Sequence, residues 1–191
     1  MEEGSRRERM KEYIDASVFL GMHSKDERTR VACKNYFVQR PNEEIGMSLE
    51  QVGKCDDVIW QFPRERQDAY YPFMDNLHTI MRIDRISYDR EDISAATFNQ
   101  HLHGLDISDR LTMGMVVARR GILYTINPTL VNLRPGKLKD RLGGEVVLTR
   151  EQADLTDIAR FPYTRSPEAG KELVFPTELE LLYQQSLAVR I

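Results

Sequence analysis

The chain alternates short apolar segments with longer segments in which apolar side chains recur at helical spacing. Four apolar segments are short enough to be strands, at residues 13–15, 45–47, 80–83 and 122–125. Helices are predicted over about residues 17–21, 25–40, 73–77, 109–121 and 177–189, and two more begin at Ser48 and at Asp89 or Asp92. Strands that alternate with helices predict an α/β fold with a central parallel sheet covered by helices on both faces.

The pattern divides the chain into three parts. Residues 1–11 are rich in charge and predict a flexible lead-in, whereas residues 12–135 carry the alternating pattern and predict one domain. Residues 136–191 are expected to form a C-terminal extension packed on that domain, with a strand over 145–148 and a final helix from Thr177. Leu179, Leu182 and Leu187 share one side of that helix, and we expect this side to mediate a homodimer contact.

The composition is that of an ordinary globular domain, with 41% hydrophobic and 30% charged residues. No segment approaches the about eighteen apolar residues of a membrane-spanning helix, and the N-terminal segment lacks the apolar centre of a secretory signal. Cys33 and Cys55 lie far apart and have no neighbours at zinc-site spacing. The sequence therefore predicts a cytoplasmic protein with two buried, reduced thiols and no membrane partner.

The charge balance excludes a strongly basic nucleic-acid-binding protein, because the formal net charge is −3. The distribution is uneven, however: the segment from Arg119 to Arg141 holds six basic residues and one acidic residue, Asp140. Such a segment is either a solvated face or, close to an acidic site, a contact for a phosphate backbone.

Three carboxylates lie where strands are predicted to end or helices to begin. Asp15 ends the first strand, Glu50 lies in the first turn of the helix after the second, and Asp109 begins the helix that runs to Gly121. Because strand C-termini share one edge of a parallel sheet with the following helix N-termini, the three are expected to converge. Clustered carboxylates repel one another unless a cation neutralises them, and oxygen ligands suit Mg²⁺ or Mn²⁺. Such an ion activates water and stabilises charge during phosphodiester hydrolysis.

A simpler explanation is open for each of these positions. Asp15, Glu50 and Asp109 each also suit a helix cap or a first-turn charge that complements the helix dipole. Thr125 and Asn127 also suit a strand end followed by a turn before Pro128.

Four stretches of the chain together resemble the PIN-domain family, the metal-dependent ribonuclease fold found in many toxins of toxin–antitoxin systems. They are Ile14–Leu20, Ser48–Val52, Ser108–Gly121 and Leu123–Asn127, and the resemblance covers roughly residues 12–135. It implies a three-layer PIN-like fold, a ribonuclease that depends on Mg²⁺ or Mn²⁺, RNA as the substrate and an antitoxin-like protein partner.

The resemblance also implies roles for individual residues. Asp15, Glu50 and Asp109 match the acidic positions that hold the metal, so they are the expected metal ligands and catalytic residues. The family's last acidic position is matched by Asn127, which leaves three carboxylates in place of four. An amide can still accept or donate a hydrogen bond, so Asn127 is expected to position a metal-bound water or a weakly bound second ion.

Supporting roles follow for three neighbours. Ser17 or Thr125 is expected to donate a hydrogen bond to a ligand carboxylate or to phosphate. Asp106 lies just before Asp109, where it either replaces the missing charge or accepts a hydrogen bond from its own turn.

Two other functions fit the same sequence. The substitution at Asn127 favours a PIN-like fold that has lost turnover and acts as a binding or regulatory module. An enzyme acting on a small nucleotide-like substrate is the other alternative. His101 and His103 resemble a metal pair but have no third ligand at standard spacing, so they are predicted to be surface residues.

Overall fold

The structure, a computed structural model, describes residues 11–41, 43–131, 133, 164–165, 167 and 170–191. Its described strands form one parallel sheet in the order β3-β2-β1-β4-β5. The strands are β1 (Glu12–Ile14), β2 (Ile45–Ser48), β3 (Ile83–Ile86), β4 (Ile122–Tyr124) and β5 (Thr164–Arg165). Helices flank this sheet, which confirms the predicted three-layer α/β class.

The helices of the described residues follow the strands in the predicted alternation. They are α1 (Ala16–Gly21), α2 (Glu27–Val38), α3 (Leu49–Ile59), α4 (Arg64–Ile80), α5 (Arg90–Phe98), α6 (Ile107–Ala118), α7 (Pro128–Val131) and α8 (Thr177–Ser186). The predicted cap at Ser48 is confirmed, because its Oγ accepts a hydrogen bond from the backbone N–H of Gln51 at 3.2 Å.

Helix α4 is much longer than predicted. The sequence pattern places a break at Tyr70–Pro72, but Pro72 lies inside a 17-residue helix. An internal proline costs about 3 kcal/mol because it removes one backbone hydrogen bond. Tyr70, Phe73 and Leu77 all lie on the buried side of α4, and burying each large apolar side chain contributes about 1.5–3 kcal/mol. The free energy gained by burying this face of α4 therefore exceeds the cost of the internal proline.

The two faces of the sheet carry two separate apolar clusters, as expected for a three-layer fold. Tyr13 and Leu123 face a cluster formed largely with α6, whereas Ile14 and Tyr124 face a larger cluster formed with α1 to α4. Adjacent residues of β1 and β4 thus point in opposite directions and are all buried, the pattern of a strand covered on both faces.

The two ends of α6 differ from the prediction by one to three residues. Its N-cap is Asp106, not Ser108 or Asp109, because the Asp106 carboxylate accepts from the N–H of Asp109 at 2.9 Å. At the other end Arg120, with a φ of 51°, takes the left-handed position predicted for Gly121. Gly121 is required for a different reason: a Cβ there would lie 2.2 Å from the ring of Tyr13.

The C-terminal segment contributes to the main core. Phe175, Leu179, Tyr183 and Val189 are buried in the same cluster as α1 and α4. The leucine side of α8, Leu179, Leu182 and Leu187, packs against this core within its own chain, and a homodimer stays a prediction. The strand predicted over residues 145–148 lies outside the described residues.

The structure also describes the two cysteines and the length of the helices. Cys33 and Cys55 are buried free thiols, as predicted. Among the described residues, no helix is long and apolar enough to cross a membrane.

Candidate functional site

The strand order creates a crevice at the carboxyl ends of β1 and β4. The chain runs from β1 to β2 and β3 on one side of the sheet and then returns to place β4 on the other side of β1. Open α/β sheets bind ligands where the strand order reverses in this way. A cleft of about 370 Å³ opens at this position. Its polar lining comprises Asp15, Ser17, Gln51, Lys54, Asp109 and Asn127.

Asp15 joins the end of β1 to the start of α1. Its side chain caps α1: Oδ1 accepts from the backbone N–H groups of Ser17 at 3.0 Å and Val18 at 3.3 Å. The Ser17 hydroxyl adds a third hydrogen bond to Oδ1 at 2.5 Å. The residue is only 3% exposed, and this burial raises the pKa of the Asp15 carboxyl even though its hydrogen bonds lower it.

Thr125 connects Asp15 to the end of β4. The Thr125 hydroxyl donates to Asp15 Oδ2 at 2.5 Å and accepts from the backbone N–H of Asn127 at 2.9 Å. Ser17 Oγ likewise accepts from the backbone N–H of Ile126 at 3.0 Å. The two hydroxyls therefore hold the ends of the neighbouring strands together around one carboxylate. The predicted donation from Ser17 and Thr125 to a site carboxylate is present in the structure.

Asp109 reaches the same cleft from the first turn of α6. Its Oδ2 accepts from Nδ2 of Asn127 at 2.9 Å, and its Oδ1 lies 4.0 Å from Nζ of Lys54. The side chain is 7% exposed. Burial raises the pKa of the Asp109 carboxyl, Asn127 opposes this rise, and the negative charge of Asp106 adds to it.

Asn127 uses both ends of its amide. While Nδ2 donates to Asp109, Oδ1 accepts from the backbone N–H of Thr129 at 3.0 Å and so caps the short helix α7. Its backbone carbonyl also accepts from Leu130 and Val131. An aspartate could cap α7 equally well, but it has no proton to donate to Asp109 when ionised.

Glu50 does not line this cleft. Its Oε2 accepts from the hydroxyl of Tyr88 at 2.8 Å, on the β3 side of the sheet. The negative charge of Glu50 still raises the pKa of the Asp109 carboxyl. The structure thus brings Asp15, Asp109 and Asn127 to one cleft and directs Glu50 towards Tyr88.

The neighbouring Gln51 takes the central position instead. It is 3% exposed; its Oε1 accepts from the backbone N–H of Ala16 at 3.0 Å, and its Nε2 donates to Thr112 Oγ1 at 2.9 Å. Gln51 thereby ties the start of α1 to α6. No motif of the sequence singles Gln51 out, although Gln51, Cys55 and Ile59 recur every four residues and mark the buried face of α3.

The remaining candidates from the sequence do not line this cleft in the part of the chain that the structure describes. The exposed carboxylate of Asp106 is the α6 cap, which bears out the turn-residue alternative. Arg119, the first residue of the basic segment, binds the buried Asp92 at 2.6 Å. The remaining basic residues from Arg134 to Arg141 lie outside the described residues. His101 and His103 are exposed.

The donor set suits a hard cation with few protein ligands. Within the described residues, no group of three or more His, Cys, Asp or Glu side chains is arranged to hold a metal. Two carboxylates nevertheless face the cleft, and Mg²⁺ in proteins often uses one or two carboxylates and several waters. Asp15 Oδ2 accepts one hydrogen bond, and no hydrogen bond to Asp109 Oδ1 is found in the described part of the chain. Both oxygens therefore retain lone pairs for an ion.

Comparison with known proteins identifies the family of this chain. No curated protein matches the sequence. Residues 5–191 match DUF6190, described as a family of unknown function. Because this match spans nearly the whole chain, the protein belongs to the DUF6190 family.

Proposed function

We propose that this protein is a PIN-like ribonuclease that hydrolyses RNA phosphodiester bonds with Mg²⁺ or Mn²⁺. The observation that carries the proposal is the pair of buried carboxylates, Asp15 and Asp109, which line one cleft at the crevice between β1 and β4. Burial raises the pKa of both carboxyls, and perturbed acids in a cleft are typical of functional sites.

A divalent ion bound by Asp15 and Asp109 would supply water activation and charge stabilisation for phosphodiester hydrolysis. The chain itself orients the two ligands. Ser17 and Thr125 hold Asp15 through three side-chain and backbone hydrogen bonds, and Asn127 holds Asp109 through its amide. Fixed ligand orientation of this kind is usual around metal sites and reduces the reorganisation that catalysis requires.

The direct test is RNA cleavage by the full chain. Wild-type protein with Mn²⁺ is expected to cut labelled single-stranded RNAs of diverse sequence, and EDTA is expected to stop the reaction. Asp15→Asn and Asp109→Asn should each lower the rate by at least about 100-fold. Asp26→Asn is the matched control, because Asp26 also caps a helix, α2, but lies outside the cleft. Intact RNA after incubation with folded wild-type protein and Mn²⁺ would refute the proposal.

The role of Glu50 is decided in the same assay. If Glu50 only accepts the hydrogen bond from Tyr88, the cleavage rate of Glu50→Gln should be near that of wild type. A loss of cleavage rate as large as that of Asp109→Asn would make Glu50 a third metal ligand. An antitoxin-like protein partner stays a prediction of the resemblance.

A binding or regulatory module is the second candidate, and one observation favours it. Asn127 already satisfies Asp109 with a hydrogen bond, so the carboxylate has a partner without any ion. Calorimetric titration with Mn²⁺ separates the two functions. The nuclease proposal requires Mn²⁺ uptake that Asp109→Asn abolishes, and a binding module requires none.

A further inference from the structure

Lys54 lies on the face of α3 that borders the cleft. It follows the buried Gln51 by three residues, so both side chains project from the same side of the helix. The Lys54 side chain is 39% exposed, with its ammonium group 4.0 Å from Asp109 Oδ1. Among the described residues that line the cleft, Lys54 is the only cation, and Asp15 and Asp109 are the only anions.

The ammonium group of Lys54 is loosely held. The 4.0 Å separation from Asp109 exceeds hydrogen-bond distance, and no hydrogen bond from Nζ is found in the described part of the chain. Lys34 shows what a structural lysine looks like in the same protein. It is 1% exposed and donates to Glu172 at 3.0 Å and to Glu180 at 2.9 Å. The three N–H donors of Lys54 are thus free for a ligand, whereas those of Lys34 are engaged.

A phosphate group entering this cleft meets two carboxylates. Their charge repels the phosphate unless cations lie beside it. A divalent ion bound by Asp15 and Asp109 is neutralised by these two carboxylates, so little net positive charge remains for the phosphate. A lysine at the edge of the cleft supplies the missing charge, as lysines commonly do for phosphate.

We propose that Lys54 is the phosphate-binding residue of this cleft and that it contacts the RNA backbone beside the cleaved bond. This inference rests on the proposed function. In the absence of RNA, Lys54 partly neutralises Asp109, so it competes electrostatically with a divalent ion for Oδ1. RNA phosphate draws the ammonium group away from Asp109 and thereby strengthens metal binding.

Lys54→Gln should weaken RNA binding and strengthen Mn²⁺ binding. Affinity for a labelled, mixed-sequence single-stranded RNA, measured by fluorescence anisotropy in EDTA, should fall about threefold to tenfold. The slope of log affinity against log salt concentration should become shallower by about 0.7, the contribution of one lost phosphate contact on a single strand. Affinity for Mn²⁺ alone, measured by calorimetry, should rise by about twofold to fivefold.

Two further variants control the interpretation. Lys54→Arg keeps the positive charge and should restore RNA binding. Lys25→Gln removes one positive charge from an exposed residue outside the cleft and should change neither the RNA salt slope nor Mn²⁺ affinity. Circular dichroism of each variant confirms folding.

The outcomes separate this inference from the proposed function. If wild type binds Mn²⁺ and cuts RNA while Lys54→Gln keeps its RNA affinity and salt slope, Lys54 is not the phosphate contact. Weaker binding of both RNA and Mn²⁺ by Lys54→Gln also overturns the proposal, because it indicates a structural role. If wild type neither binds Mn²⁺ nor cuts RNA, the proposed nuclease fails.

Discussion

The side-chain amide of Asn127 donates a hydrogen bond to the carboxylate of Asp109, with 2.9 Å between Nδ2 and Oδ2. This contact joins the end of β4 to the first turn of α6. It places a neutral donor beside a buried anion at a position where an acid would require a cation. The chain can therefore hold this part of the cleft together without a metal and still leave Oδ1 of Asp109 free to bind one.

Asn127→Asp is expected to make the stability of the fold depend on divalent ions. In EDTA the variant should lose about 2–3 kcal/mol of unfolding free energy, since a hydrogen bond to a charged group is replaced by two facing carboxylates. Mn²⁺ should restore this stability and raise the variant's melting temperature more than that of wild type. Thermal unfolding in EDTA and in Mn²⁺ measures both effects.

Asn76→Asp is the matched control for that experiment. Asn76 is exposed and donates to the carbonyl of Pro72 at 2.8 Å, so it also loses a donor but lies outside the cleft. Its stability should not respond to Mn²⁺. An equal Mn²⁺ response in both variants would contradict a specific ion site at Asp109.

His23 is expected to make the protein less stable as the pH falls below about 6.5. The ring is fully buried; Ser186 Oγ donates to the carbonyl of Tyr183, so His23 Nε2–H donates to Ser186, and Nδ1 has no hydrogen-bond partner among the described residues. Burial, reinforced by the positive charge of Arg190, lowers the pKa of His23 to about 3. The unfolded state binds a proton between pH 6.5 and 3 that the folded state excludes. Stability from this group is therefore complete above pH 6.5 and falls by at most about 1.4 kcal/mol per pH unit below it.

Denaturant unfolding between pH 4 and 7 tests this expectation. His23→Phe should reduce the pH dependence, because this titrating group is gone while Ser186 keeps its bond to Tyr183. The part that His78 contributes should remain, since burial lowers its pKa to about 4. His103→Gln, a substitution of an exposed histidine, should retain the wild-type slope. A wild-type slope in His23→Phe would show that other groups cause the acid sensitivity.

Lys34 is expected to contribute strongly to the attachment of α8. Its ammonium group bridges Glu172 and Glu180 and lies 4.6 Å from the centre of the Tyr183 ring. Lys34→Met should lower the unfolding free energy by about 1.5–3 kcal/mol, because Glu180 loses its cation and Glu172 loses one of two, its pair with Arg30 remaining. Arg64→Met, which breaks an exposed pair with Asp68, should cost only about 0.3–0.5 kcal/mol. Similar losses in the two variants, measured by urea unfolding, would contradict a special role for Lys34.

Two glycines should respond in opposite directions to alanine. Gly121→Ala should destabilise the fold by at least about 2 kcal/mol, since its Cβ would lie 2.2 Å from the Tyr13 ring and 2.9 Å from the carbonyl of Lys11. Gly53→Ala should stabilise it by about 0.5–1 kcal/mol, because Gly53 is exposed inside α3. Apart from its chain neighbours and the backbone of the helix, no described atom lies within 4 Å of the new methyl group. Urea unfolding of both variants measures the difference, and a stable Gly121→Ala would mean that Tyr13 can move.

Local sequence patterns were sufficient for the alternation of strands and helices and for the positions of Asp15, Asp109 and Asn127. Each of these residues adjoins a strand end or a helix start, and short-range patterns mark such boundaries well. The same patterns failed at Pro72, where the buried face of α4 outweighs a local helix breaker. They also did not show that the leucine side of α8 packs on the core of its own chain, because an apolar helix face does not reveal where its partner lies.

The sequence by itself determined the α/β class and the acidic residues available at the carboxyl edge of the sheet. Only the tertiary structure decided which side chains share the cleft: Gln51 and Lys54 line it, and Glu50 binds Tyr88. The physical reason is that side-chain direction depends on how a helix is rotated about its axis, and one residue changes that direction by about 100°. Packing of α3 against the core sets this rotation, through contacts between residues far apart in the chain.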